Sequence, residues 1–296
     1  MIDEAQQESI ETPNRQNFKA KLLKAVKDLP PMPKVLFKIQ KLLIDPNSDA
    51  KQIAGYIETD QALAAKVLKM ANSPFYGLTG KVSSVQHAAV ILGYKTLGEL
   101  TMLAGFSDLM GKKLPGYGYK SDELWKHSLA VALASRIIAE KISPELSSAA
   151  LTAGLIHDMG KVILDPYVFD HREAFDVFVE NENQTFLVAE KHVLGFDHAE
   201  IASEICLKWK YPDSLALAIK YHHNPSLSNG SEMAFILHLA DYIAVLSGSG
   251  YEFGEILDVR EEGTEEFLRI HQQDMKKIGN LILESIHKIE EELAIY

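Results

Sequence analysis

Ala149-Ala150-Leu151-Thr152-Ala153-Gly154-Leu155-Ile156-His157-Asp158-Met159-Gly160-Lys161 is the stretch on which the reading of the chain turns. A run suited to a buried helix ends on a histidine and an aspartate, followed at once by Gly160-Lys161. Burying an ionised carboxylate without a partner costs far more than a domain's usual margin of stability. Asp158 must therefore be exposed, neutral, paired with a cation or bound to metal, and its apolar neighbours argue against exposure.

The same conflict recurs on either side. His127 belongs to the stripe Leu124, His127, Val131, Ala134, Ile138 and so faces inward. His198 opens the stripe His198, Ile201, Ile205, Trp209. His222 and His223 end a helix whose inner side holds Leu215, Ala218 and Ile219, and Asp241 follows Phe235-Ile236-Leu237-His238-Leu239-Ala240. Each has an ordinary reading when taken singly. His127 alone reads as a core histidine donating to a backbone carbonyl. His222-His223 alone suit a helix C-terminus before Asn224-Pro225. Asp241 alone caps a neighbour or pairs with Lys161, and His238 is core packing or a support for a ligand.

Together they share one cause more readily than several. Six of the eleven histidines, together with Asp158 and Asp241, fall in the helices of a second lobe. Imidazole and carboxylate donors suit Fe, Mn, Zn or Ni. Two divalent ions about 3.5–4 Å apart, bridged by a carboxylate, would use this many ligands, and one would use a subset. No thiolate belongs to the set, which excludes a Cys-type structural zinc site. Cys206, the one cysteine, reads as a small buried apolar residue. His87, His171, His192, His271 and His287 are left as surface or core residues.

Helical spacing extends through the rest. Residues 1–16 are polar and read as a flexible arm. Phe18, Leu22, Leu23 and Val26 then mark a helix that Leu29-Pro30-Pro31-Met32-Pro33 stops. Val35 to Leu43, Ile53 with Ile57, and Ala62 to Ala71 give three more, and Ser83 with Gln86 makes a capping-box signal for the next. A Gly/Lys/Tyr-rich stretch from Gly105 to Tyr119 reads as the joint between two helical lobes. Helices are expected around 122–141, 144–164, 184–209, 213–222 and 232–246. A last helix at about 264–294 carries the stripe Met275, Ile278, Ile282, Ile286, Ile289, Leu293, which packs on its own domain or forms a dimer seam. The expected class is all-α, divided as an arm (1–16), a first lobe (17–110), a metal-binding lobe (111–260) and a closing helix (261–296).

Thirty basic residues against 41 acidic ones give a formal charge of -11, which disfavours a nucleic-acid partner. Lys112 with Lys113 is the one small basic patch. No apolar run reaches the about 18 residues of a membrane span, no secretory signal follows Met1, and a single thiol suits a reducing compartment. The expected location is the cytoplasm.

The order His127, His157-Asp158, Asp241 resembles the H…HD…D signature of the HD phosphohydrolase superfamily, and His198 with His222-His223 resembles the added ligands of its binuclear members. Leu29-Pro30-Pro31-Met32-Pro33, Asp60 to Leu68, Ala71 to Gly77, and Val82 to Val85 running on through Ile91-Leu92-Gly93 resemble the opening of an HDOD (HD-related output) domain. The match runs from about 20 to 245. It implies two helical lobes, the second an HD-superfamily bundle, in a bacterial signal-transduction protein. Many HDOD members have lost metal ligands and act as non-catalytic output or scaffold modules, whereas here every ligand position is filled. By that resemblance His127, His157, Asp158 and Asp241 hold one metal and His198, His222 and His223 the other, with Asp158 between. Lys161 matches the lysine of the HDxGK motif, near substrate phosphate in active relatives, so Asp158 and Lys161 are the catalytic candidates. Asn224 to Gly230 lacks the Gly-Tyr-Pro signature of cyclic-di-GMP phosphodiesterases, which argues against that activity.

Two functions follow as expectations. One is a regulatory module that keeps a metal site and acts on signalling proteins, a stand-alone output whose input comes from another protein or a small ligand. The other is a metal-dependent phosphohydrolase acting on a nucleotide or other phosphoester. Access to the pocket separates them, and the Gly111–Tyr119 joint and the first lobe are the candidates to cover it.

Overall fold

Asp49, Asp60 and Ser84 set the first helices by accepting hydrogen bonds from the amides of Gln52 (2.8 Å), Leu63 (3.1 Å) and His87 (3.1 Å), donors that a helix start leaves without partners. The structure, a computed structural model, describes residues 32–45, 47–72, 76, 80–181, 184–248 and 261–294, without the side chains of 44, 180, 181 and 292–294. The expected arm, the helix through Phe18 and Val26, Leu29–Pro31, most of 73–79 and the side chain of Leu293 lie outside the described residues.

The first lobe holds α1 (Lys34–Ile44), α2 (Ala50–Ile57), α3 (Gln61–Ala71) and α4 (Val85–Met110). Two expectations are corrected here. The cap of α4 is Ser84 rather than Ser83, and Gln86 reaches Glu58 Oε2 (3.0 Å) instead of closing a capping box. The joint begins at Gly111 rather than Gly105. α4 turns sharply at Gly93 (φ 75°, ψ 170°), a backbone that glycine adopts without strain, then runs helically to Met110. Gly105 is a packing glycine, since a Cβ there would land on the Leu36 side chain of α1.

The second lobe is built on α5 (Glu123–Ile142), buried along most of its length. α6 (Ser147–Ile156) crosses it at Gly154, where a Cβ would lie 2.7 Å from Ala132 backbone. α7 (Met159–Asp170) and the short α8 (Arg172–Asp176) follow, then α9 (Phe186–Val193), α10 (His198–Lys208), α11 (Asp213–Lys220), α12 (Glu232–Leu246), the short α13 (Thr264–Leu268) and α14 (Gln272–Ala294). The helices expected at 144–164 and 184–209 are each two. The first breaks at His157-Asp158 and the second before Asp197, which caps α10 in a capping box with Glu200. No strand occurs among the described residues, where one bridge pairs Leu114 with Tyr119.

The lobes share one apolar core. Phe106 of α4 meets Trp209 (ring centroids 5.7 Å), and the Trp125 indole of α5 lies against the Leu103 carbonyl of α4. Glu99 of α4, buried, receives Arg136 of α5 (2.8 Å) and Ser148 of α6 (2.5 Å). α14 packs on α5 and α12 and also reaches α3. Its stripe Met275, Ile278, Ile282, Ile286, Ile289 is buried against its own chain, with Lys141–Asp274 (2.8 Å) and Lys126–Glu290 pairing at its rim. No helix among the described residues is long and apolar enough to cross a membrane.

Candidate metal centre

Helix ends bring the ligand candidates together. His127 projects from the second turn of α5 and Asp241 from α12, His157 and Asp158 occupy the break between α6 and α7, His198 is the first residue of α10, and His222-His223 follow α11. Asp158 stands where a capping residue would, yet its side chain makes no cap hydrogen bond and turns inward. Gly160 makes the meeting close: a Cβ on it would collide with the His198 carbonyl, so only glycine lets α7 approach α10 this far. All seven proposed ligands converge. His198, His222 and His223 offer donor atoms within 4.8 Å of one another, as do His127, His157 and Asp158, and also His157, His222 and Asp241. His222 thus adjoins both halves, where the resemblance placed it in one.

The donor atoms of these side chains lie close against one another. His127 Nε2 lies 3.0 Å from Asp241 Oδ1 and 3.6 Å from Asp158 Oδ2. His198 Nε2 lies 3.2 Å from Asp158 Oδ1 and 2.8 Å from His223 Nε2. His157 Nδ1 donates to Gly154 O (2.8 Å) and His222 Nδ1 to Ile219 O (2.6 Å). A carbonyl only accepts, so each ring's proton is committed to Nδ1. Burial lowers His157 to about 4 and holds His222 well below the ordinary histidine value, which keeps both neutral. Their Nε2 atoms are therefore bare, buried and without a hydrogen bond. Burial opposes the charge on Asp158, but His157, the Lys161 ammonium, His198 and His127 hold its carboxyl well below the usual range. Burial likewise opposes the charge on Asp241, and the hydrogen bond and charge of His127 outweigh it. The same carboxylates raise His127 against its own burial. Two ionised carboxylates and bare imidazole nitrogens at these distances fit a divalent cation.

Around this set stand groups that sequence reasoning missed. His198 Nδ1 donates to Glu190 Oε2 (2.8 Å) and Tyr117 Oη donates to Glu190 Oε1 (2.7 Å), all three residues being buried. Lys161, weighed above as a partner of Asp241, lies beside Asp158. It pairs with Asp158 Oδ2 (3.0 Å) and donates to Tyr119 Oη (3.3 Å). His238 supports the site rather than merely packing, since its Nδ1 donates to His222 O (2.6 Å) and its Nε2 accepts from Glu261 N (2.9 Å). His87, His171, His192, His271 and His287 are exposed. Asp241, with its side chain 15% exposed, and half-buried His223 form the open edge of an otherwise enclosed centre.

Fold and donor set together define a class: two packed helical lobes, the second carrying a His/Asp cluster at its helix ends. The HDOD domain model matches residues 29–225, and the chain belongs to that family. Among solved structures, an HDOD domain protein of unknown function from Geobacter sulfurreducens is 26% identical, over 94% of this chain and 98% of that one, at a TM-score of 0.78. A proposed phosphohydrolase from Shewanella amazonensis SB2B and a proposed signal transduction protein from Marinobacter aquaeolei VT8 are each 23% identical at a TM-score of 0.71. They match 92% and 96% of this chain and 97% and 66% of their own, and at that identity they establish likeness of fold alone. The chain spans 39% and 25% of the lengths of the curated relatives it matches, uncharacterised proteins of Treponema pallidum and Bacillus subtilis.

Proposed function

We propose that this protein is a bacterial HDOD regulatory module that holds one or two divalent ions in its second lobe and acts on partner signalling proteins rather than by turnover. The observation that carries the reading is an enclosed cluster of bare nitrogens and carboxylates whose neighbouring cation, Lys161, is already committed. His127, His157, Asp158, His198, His222, His223 and Asp241 are the residues that would hold Fe, Mn, Zn or Ni. A bound ion supplies positive charge against two buried carboxylates and Lewis acidity toward any oxygen ligand that reaches it. Lys161, the side chain that would meet a phosphate, is instead held by Asp158 and Tyr119, with the rings of Tyr117 and Tyr119 at 5.9 and 5.6 Å from its ammonium. The same reading places the module in the cytoplasm, where buried Cys206 stays reduced.

A second reading rests on the open edge at Asp241 and His223: a phosphohydrolase acting on a nucleotide or other phosphoester. It requires Lys161 to leave Tyr119 and neutralise charge on the phosphoryl oxygens. One experiment tests both. Protein purified without chelator is analysed for metal, and turnover is assayed on phosphodiesters and phosphomonoesters with the same sample. Stoichiometric metal without turnover supports the regulatory module, and metal-dependent turnover establishes the hydrolase. His157→Ala with Asp158→Ala removes the metal in either case, and unchanged metal content in that double variant contradicts the site.

A further inference from the structure

The joint between the lobes is fastened to α7. Leu114 and Tyr119 exchange two backbone hydrogen bonds of 3.0 Å, closing the joint into a small loop. Asp165 Oδ1 accepts from Gly116 N (2.7 Å) and Tyr117 N (3.3 Å), and Arg172 donates to Gly116 O (3.0 Å). A Cβ on Gly116 would collide with the Asp165 carbonyl, so the loop lies flush on the helix. Two buried tyrosines run from this loop to the two sides of the centre. Tyr119 accepts from Lys161, the partner of Asp158. Tyr117 donates to Glu190, which accepts from both the Nδ1 and the backbone N–H of His198 at 2.8 Å. Glu190 is fully buried, so its carboxylate depends on these donors for its solvation.

We propose that Glu190 and Tyr117 are positioning residues for His198, and that through them the ion-binding state of the centre is coupled to the conformation of the inter-lobe joint. The proposal rests on the metal reading above. A carboxylate on Nδ1 fixes the tautomer that leaves Nε2 bare and orients the ring, and such partners carry much of a site's affinity. Coupling is reciprocal: whatever factor the fastened joint adds to ion affinity, the ion returns to the fastening of the joint. An ion would thereby act on the one segment that links α4 to α5. This gives the module an output that needs no turnover.

The test uses the full chain with Zn2+ and Mn2+ as probes. Affinity is measured by competition with a chromophoric chelator, and amide hydrogen exchange of residues 114–119 is followed with and without the ion. In the wild type, ion binding slows exchange in the joint. Glu190→Gln weakens affinity by about 10–100-fold. Tyr117→Phe, which removes the hydroxyl and keeps the ring, weakens it less and abolishes the exchange response, and the lost donor to buried Glu190 lowers the ion-free melting temperature modestly. A purely structural role would lower that melting temperature too but leave the response intact. Should Glu190→Gln fail to fold, Tyr117→Phe decides alone. A wild type that binds ions, beside a Tyr117→Phe that binds them equally and still slows its joint, overturns the coupling and spares the metal reading. A wild type that binds neither ion overturns the metal reading and the coupling together.

Discussion

His157 and His222 each commit their one proton to a backbone carbonyl, and acid must add a second at the buried, bare Nε2. Their folded pKa values lie below the unfolded value near 6.5, His157 at about 4. The unfolded chain therefore binds more protons than the folded one in this range, and stability is lost as pH falls from about 6.5 toward 4. His127 works the other way, because its raised value favours the folded state below pH 6.5. His238 is lowered by burial as well, and three lowered histidines against one raised leave a net loss. Melting temperatures of chelator-treated protein should decline across that window, and a flat or rising profile would contradict the protonation states assigned here. Histidines and aspartates interrupting apolar helices were legible because polarity at a buried position is a local conflict. Glu190 carried the same signal on the apolar side of Phe186, Ala189 and Val193, but one glutamate among Lys191 and His192 reads as solvated surface. Tyr117 and Tyr119 gave no signal, since what joins Tyr119 to Lys161, 42 residues on, and Tyr117 to Glu190, 73 residues on, is tertiary geometry.

Helices of the second lobe meet through missing side chains. Gly160→Ala would drive a methyl into the His198 carbonyl, and backbone cannot move aside as a side chain can. The expected cost is about 1–3 kcal/mol with reduced metal content, read by thermal denaturation and elemental analysis. Gly105→Ala meets only the flexible Leu36 side chain and should cost less, with metal content unchanged. Arg136→Ala leaves Glu99 buried between the lobes with Ser148 as its remaining named donor, a loss of about 3 kcal/mol. Glu99→Gln in the same background should recover part of it. Helix positions were legible from apolar spacing, but their ends were not. The break at His157-Asp158 lies inside a run whose composition continues as helix. The choice between Ser83 and Ser84 turns on which serine takes extended backbone angles, and both precede the same apolar pattern.

One core extends through both lobes, so the first lobe is expected not to stand alone. A fragment ending at residue 110 would expose Phe106, Leu103 and the buried carboxylate of Glu99, whose partners lie on α5, α6 and the turn after α10. It should aggregate or unfold without a cooperative transition in denaturant, and a sharp two-state transition would contradict the shared core. Class and lobe order were legible at this scale because helical periodicity and the Gly-rich joint are written in consecutive residues. The docking of the lobes was not, for it depends on pairs such as Glu99 with Arg136 that no spacing rule connects. The reach of the last helix back to α3 escaped for the same reason, its stripe showing that it packs but not on what.

Both tryptophans of the chain lie buried at the boundary where α4 meets the second lobe, Trp209 against Phe106 and Trp125 against Leu103. The molecule therefore carries its own optical gauge. Any event that parts the lobes would wet both indoles at once and shift their emission to longer wavelength, without a label and on the timescale of mixing.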